Sequence, residues 1–182
     1  MGVLKVERVF KSLVGVGIGV VFLFGGMNSI RVGVSSDTAS LKGRLYFHQN
    51  SLFWEGEWLH RQGEERNWGE IGFGTSGPFL GYPTLQFTLF CHWTHSGSWN
   101  SLPIGGSIRF TYPYGFVPWY LEGSGEYAPP VLTFGTQSHF YRYQLEWGVQ
   151  LTQNGEIFVG YRNFHWDAPF ESNWYGGVGF IW

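Results

Sequence analysis

The sequence predicts an all-β protein, an antiparallel up-and-down transmembrane β-barrel of eight to ten strands, with ten preferred. Three observations point there. From Phe140 to Leu151, Tyr141, Tyr143, Leu145, Trp147, Val149 and Leu151 alternate with Arg142, Gln144, Glu146, Gly148 and Gln150, so one face of a strand is greasy and the other polar. Charged residues make up 13% of the chain, against about 25% in soluble proteins, while aromatics reach 20%. Gly occurs 28 times; it weakens helix interiors by about 1 kcal/mol each and argues against a helical bundle.

The elements follow in order. The opening stretch places Lys5, Arg8 and Lys11 before an apolar run from Leu13 to Phe24. That is the charge-then-grease order of a secretory signal, so residues 1–28 are read as a signal peptide or an uncleaved anchor, with a mature N-terminus between Gly25 and Ala39. Residues 29–182 are the barrel. Its ten expected strands are Ile30–Val34, Leu41–Gln49, Leu52–His60, Trp68–Thr75, Thr84–Thr94, Ile104–Tyr112, Trp119–Tyr127, Phe140–Leu151, Glu156–Asn163 and Trp174–Trp182. Most have the roughly 9–11 residues that a tilted strand needs to cross hydrocarbon. Turn chemistry separates them, notably Asn50-Ser51, Ser76-Gly77-Pro78, Pro129-Pro130 and Asn154-Gly155.

Barrels of this kind alternate short turns with long loops. The long connections His60–Asn67, His95–Pro103, Ala128–His139 and Phe164–Asn173 fall on one end, and Asn50-Ser51 and Thr152–Gly155 on the other. Ser76–Pro83 fits this alternation poorly, being as long as some of the outer loops.

Outward parity collects Leu85, Phe87, Leu89, Cys91 and Trp93, and Ile104, Gly106, Ile108, Phe110 and Tyr112. The opposite parity collects Glu55, Glu57, Glu70, His92, Arg109, Glu122, Glu126, Arg142, Glu146 and Arg162, with Gln86 beside them. Six Glu against three Arg predicts an acidic-leaning, filled lumen in which Arg142 pairs with Glu122 or Glu126, and Arg162 with Glu146. A soluble periplasmic sandwich is the alternative, with the aromatics inside and the charges in water.

A net charge of −2 and the lack of a basic cluster beyond the N-terminus exclude a nucleic-acid partner. Cys91 is alone, so no internal disulfide forms. Mean hydropathy of −0.10 does not argue against a membrane barrel, since half of every strand is polar. His92 and His95 lie three apart on a strand, face opposite ways and cannot share a metal ion. His92 with Ser96 and an inward Glu is the one arrangement that fits a lipid A or phospholipid hydrolase. Glu55 and Glu57 share a face as a glycosidase pair would, and equally as neighbours in a polar lumen. Phe164, Trp166, Phe170 and Trp174 read as girdle anchors. No catalytic residue, metal or cofactor is assigned.

The final strand alternates Trp174, Gly176, Val178, Phe180 and Trp182 outward and ends on an aromatic residue. It resembles the C-terminal signature by which bacterial outer-membrane barrels are recognised by their assembly machinery. Ile104-Gly105-Gly106, the Leu121–Pro129 stretch, the Tyr143–Gln150 strand and Ile157–Phe164 resemble the YfaZ family of Gram-negative outer-membrane proteins, with a weaker likeness from Leu52 through Trp93. The resemblance implies a small barrel in the outer membrane, with lipid and the assembly machinery as partners. It implies no activity and no ligand.

Overall fold

The computed structural model describes residues 28–47, 51–61, 67–97, 99–114, 116–135, 139–165 and 172–182. The signal-peptide reading of residues 1–27 and the Asn50 part of one expected turn lie outside them. Among the described residues there are twelve strands: β1 (Ser29–Val34), β2 (Thr38–Phe47), β3 (Leu52–Arg61), β4 (Asn67–Phe79), β5 (Tyr82–Ser96), β6 (Trp99–Ser101), β7 (Ile104–Tyr112), β8 (Trp119–Ala128), β9 (Thr133–Phe134), β10 (Phe140–Gln150), β11 (Gly155–His165) and β12 (Asn173–Ile181).

Ten of them form a closed antiparallel ring, every neighbour in the ring being the next barrel strand in the chain. β12 returns to pair with β1 from Ser29↔Ile181 to Val34↔Gly176, so no open edge remains in the ring. Asn28, which the sequence reading placed in the export segment, belongs to this seam. Its backbone N–H donates to the Trp182 carbonyl at 2.8 Å and its own carbonyl accepts from Trp182 at 3.0 Å.

The fold is an up-and-down antiparallel β-barrel with its polarity inverted relative to a soluble core. On β10, Leu145 is 53% exposed and Trp147 48%, while Glu146 between them is 3% exposed. Leu89, Trp93, Ile104, Ile108, Phe110, Val178 and Phe180 are likewise exposed on the outside.

Three local expectations change. The poorly fitting Ser76–Pro83 connection is a two-residue turn, because β4 and β5 run on to Phe79 and Tyr82. Leu80 and Gly81 turn the chain with φ of 50° and 81°, the left-handed pair that matches strand twist. Pro78, unable to donate a ladder hydrogen bond, sits where the register shifts at the end of β4. The alternation of short and long connections is thereby improved. The Thr152–Gly155 connection shifts by one residue: Gly155 already begins β11, and its carbonyl accepts from Leu151 and Thr152. Asn154 donates its side-chain amide to the Ile181 carbonyl at 2.7 Å. The loops 97–103 and 129–139 carry β6 and β9, which pair with each other through Asn100↔Phe134 and Ser101↔Thr133.

The narrow interior admits bulky side chains because glycines face them. Tyr120 lies opposite Gly148, Tyr175 opposite Gly160, Phe158 opposite Gly177 and Phe53 opposite Gly74. A Cβ at any of these glycines would collide with the facing ring. Much of the glycine content is thus a packing requirement of the lumen.

Candidate functional site

The lumen has three levels. At the long-loop end, Leu59, Trp68, Trp99, Ala128, Phe140 and Phe164 form a buried cluster with Leu132 packed against it. Trp68 and Phe164 meet edge to face with centroids 5.4 Å apart. This level corrects the expectation of a uniformly polar interior, and Phe164 is an inward plug residue, 3% exposed, rather than a girdle anchor. Its signal was present in the sequence: Trp68, Phe140 and Phe164 share parity with Glu70, Arg142 and Arg162.

The middle level is ionic. Arg142 on β10 places Nε 2.6 Å from Glu126 on β8, and donates Nη1 to Glu57 of β3 at 3.2 Å and Nη2 to Glu70 of β4 at 2.9 Å. One guanidinium therefore ties the β8–β10 wall to the β3–β4 wall. Its carbon lies 4.8 Å from the Trp68 ring centroid, joining the ionic level to the aromatic one. His92, stacked on Phe90 at 4.6 Å, points Nδ1 at Glu126 at 3.0 Å and stands near Glu70 and Glu55 at 3.4 and 3.6 Å.

Arg162 contacts Glu57 at 3.7 Å and donates to Asn173 and Thr38, and does not pair with Glu146 as expected. The register explains this, since Gly160 lies opposite Glu146 and Gln144 opposite Arg162. Glu146 instead accepts from Arg31 at 2.8 Å, Tyr120 at 2.8 Å and Tyr175 at 3.1 Å.

The third level, toward the short turns, holds Arg31, Lys42, Arg44, Arg109, Glu122 and Glu156. Lys42 and Arg44 both hold Glu55, at 2.8 and 2.6 Å, and Arg31 holds Glu156 at 2.6 Å. Arg31, Lys42, Arg44 and Glu156 were missed from sequence. With them the lumen counts seven Glu (55, 57, 70, 122, 126, 146, 156) against six Lys and Arg (31, 42, 44, 109, 142, 162). The expected acidic surplus is nearly cancelled.

Among the described residues, the groups of each candidate chemistry are engaged elsewhere. The Ser96 hydroxyl donates to the Asn67 carbonyl at 3.2 Å, and a spacing of four positions along β5 sets Ser96 about 13 Å from His92. His95 faces outward and meets Asn100 at 2.9 Å, away from His92. Glu55 and Glu57 do share a face, but each carboxylate is committed to cations. Glu55, Glu70 and His92 have the mutual spacing of a metal triad, yet Lys42, Arg44 and Arg142 already neutralise both carboxylates, and a divalent ion would have to displace them. Along β12, Trp174, Val178 and Phe180 are exposed, and Trp182 stacks on Phe180 at 5.9 Å.

The sequence matches no protein-family model and no curated protein. Among solved structures the chain is similar to KdgM porin and to KdgM porin in complex with disordered oligogalacturonate. Each is 12% identical with a TM-score of 0.48, the match covering 85% of this chain and 98% of that chain.

Proposed function

We propose that this chain is a non-enzymatic barrel of the Gram-negative outer membrane, an envelope structural protein whose lumen is sealed rather than a conducting channel. The observation that carries the reading is the inverted polarity of a closed ring. Apolar and aromatic side chains stand exposed around the outside, while ion-paired groups are buried within. In water such a surface would aggregate; against acyl chains it is the stable arrangement.

The sealed form is favoured over a pore by the aromatic cluster at the long-loop end, where Trp68, Phe140 and Phe164 fill the section. Lipid and the barrel assembly machinery are the partners of this reading. Kinship with YfaZ-type proteins is part of the proposal, supported by the Gly160-Tyr161-Arg162 run, whose arginine and glycine both face the lumen. Membrane fractionation and planar-bilayer recording test it. The protein is expected in the membrane fraction, with an unheated gel band of altered mobility and a flat current trace. Recovery in the soluble fraction would overturn the membrane assignment, and discrete conductance steps would overturn the sealed one.

A further inference from the structure

Beneath the ionic level the lumen widens into a cavity of about 450 Å³ that runs out to the exposed turn residues Gln153 and Asn154. Its wall is electrically layered. The side chains of Arg31, Lys42, Arg44 and Arg109 are 14–25% exposed, whereas their partners Glu55, Glu146 and Glu156 are 1–4% exposed. The cationic heads are thus the more open charges of this wall. Glu122, at 16%, and the deeper Glu156 also line the cavity, two carboxylates against the cations Arg31, Lys42, Arg44, Arg109 and Arg142. Coulomb energy falls with distance, so an entering solute meets positive charge first.

Arg109 is the least engaged of the four. Its nearest carboxylate oxygens, on Glu122 and Glu156, lie at 3.5 and 3.6 Å, beyond the roughly 2.7–2.9 Å of a charge-assisted hydrogen bond. It rests on the Tyr120 ring, its carbon 3.6 Å from the centroid. That leaves a flat, oriented guanidinium with unspent donors facing open volume. Gln144 and Ser124 line the same cavity and add neutral groups for the remaining oxygens of a ligand.

We propose that this cavity binds a small soluble polyanion bearing carboxylate or phosphate groups, entering from the short-turn end. The proposal goes beyond the structural role and requires the folded barrel, not its membrane setting. The cavity size lies within the range of small-molecule sites, about 300–1,000 Å³.

Lys42 is the only lysine among the described residues and lies in the cavity wall, which makes it a reporter. The test uses the full chain folded in detergent micelles, with citrate and inorganic phosphate as probes and glucose as the neutral control. Amine labelling of Lys42, mapped by mass spectrometry, is expected to slow several-fold in citrate and to be unchanged in glucose. Calorimetric affinity for citrate is expected to fall roughly tenfold in Arg109→Gln, and to fall further with added salt. Should the variant lack the folded gel band, the labelling of the unaltered protein decides. Equal labelling with and without both anions would overturn the proposal, as would equal protection by glucose. Protection by short-chain phosphatidylglycerol but not by citrate or phosphate would overturn the assignment to a soluble solute.

Discussion

Tyr175 of β12 lies directly across from Gly160 of β11, and a Cβ on that glycine would stand 2.5 Å from the tyrosine hydroxyl oxygen. The same hydroxyl donates to Glu146. Size and hydrogen bonding are therefore fixed together at one position.

Gly160→Val should destabilise the barrel by about 1–3 kcal/mol through overpacking. Gly43→Ala, where no atom lies within 4 Å of the added carbon, should change little. Urea unfolding of both variants in micelles, followed by tryptophan fluorescence, checks the contrast. Equal midpoints would show that the ring moves aside freely.

Arg142→Leu strands Glu57, Glu70 and Glu126 without their shared cation. A loss of about 3–5 kcal/mol is expected, because the cost is that of uncompensated buried charge. Arg61→Ala removes the rim pair with Asp37 at 3.1 Å and should cost about 0–1 kcal/mol. The two are compared by the urea concentration at which the folded gel band disappears.

Leu145 sits at the centre of β10, pointing outward. Leu145→Arg should cost about 2–4 kcal/mol if that face meets hydrocarbon, and within about 0.5 kcal/mol if it meets water. The folded fraction recovered in phospholipid vesicles separates these outcomes.

Replacing Trp68 and Phe164 together by Ala removes the edge-to-face pair at the long-loop end. Each truncation costs about 3–5 kcal/mol. Planar-bilayer recordings of the double variant should show intermittent current where the unaltered protein shows none. A silent double variant that still folds would place the seal elsewhere.

His92→Ala with Ser96→Ala should leave lipid A mass spectra identical to those of cells expressing the unaltered protein, because the serine is held by Asn67 rather than by a base. Any change in acyl-chain pattern that depends on these two residues would restore the hydrolase reading.

Strand number and facing were legible because a period of two is a local property, and the alternation along residues 140–151 survives any register. Partners were less legible. Arg142 with Glu126 was accessible because β8 and β10 are adjacent, whereas its bonds to Glu57 and Glu70 cross the lumen to strands remote in sequence. Arg162 failed as a partner for Glu146 because pairing depends on register, which turn lengths outside any local pattern decide. The basic share of the lumen was missed at β1 and β2, where Arg31, Lys42 and Arg44 lie among Val, Gly and Leu and make a weak alternating signal. The plug went unread because rings on the polar parity were not separated from those on the lipid parity.

The seam between β1 and β12, closed by Asn28 and Trp182, joins the most distant described parts of the chain. Until the last strand arrives, the cylinder is an open ribbon with two unsatisfied borders, so zippering this single junction commits the whole object at once. Such a topology pays its loop-closure entropy late. A nascent chain would therefore have to be kept from neighbouring ribbons until its own far border is in reach.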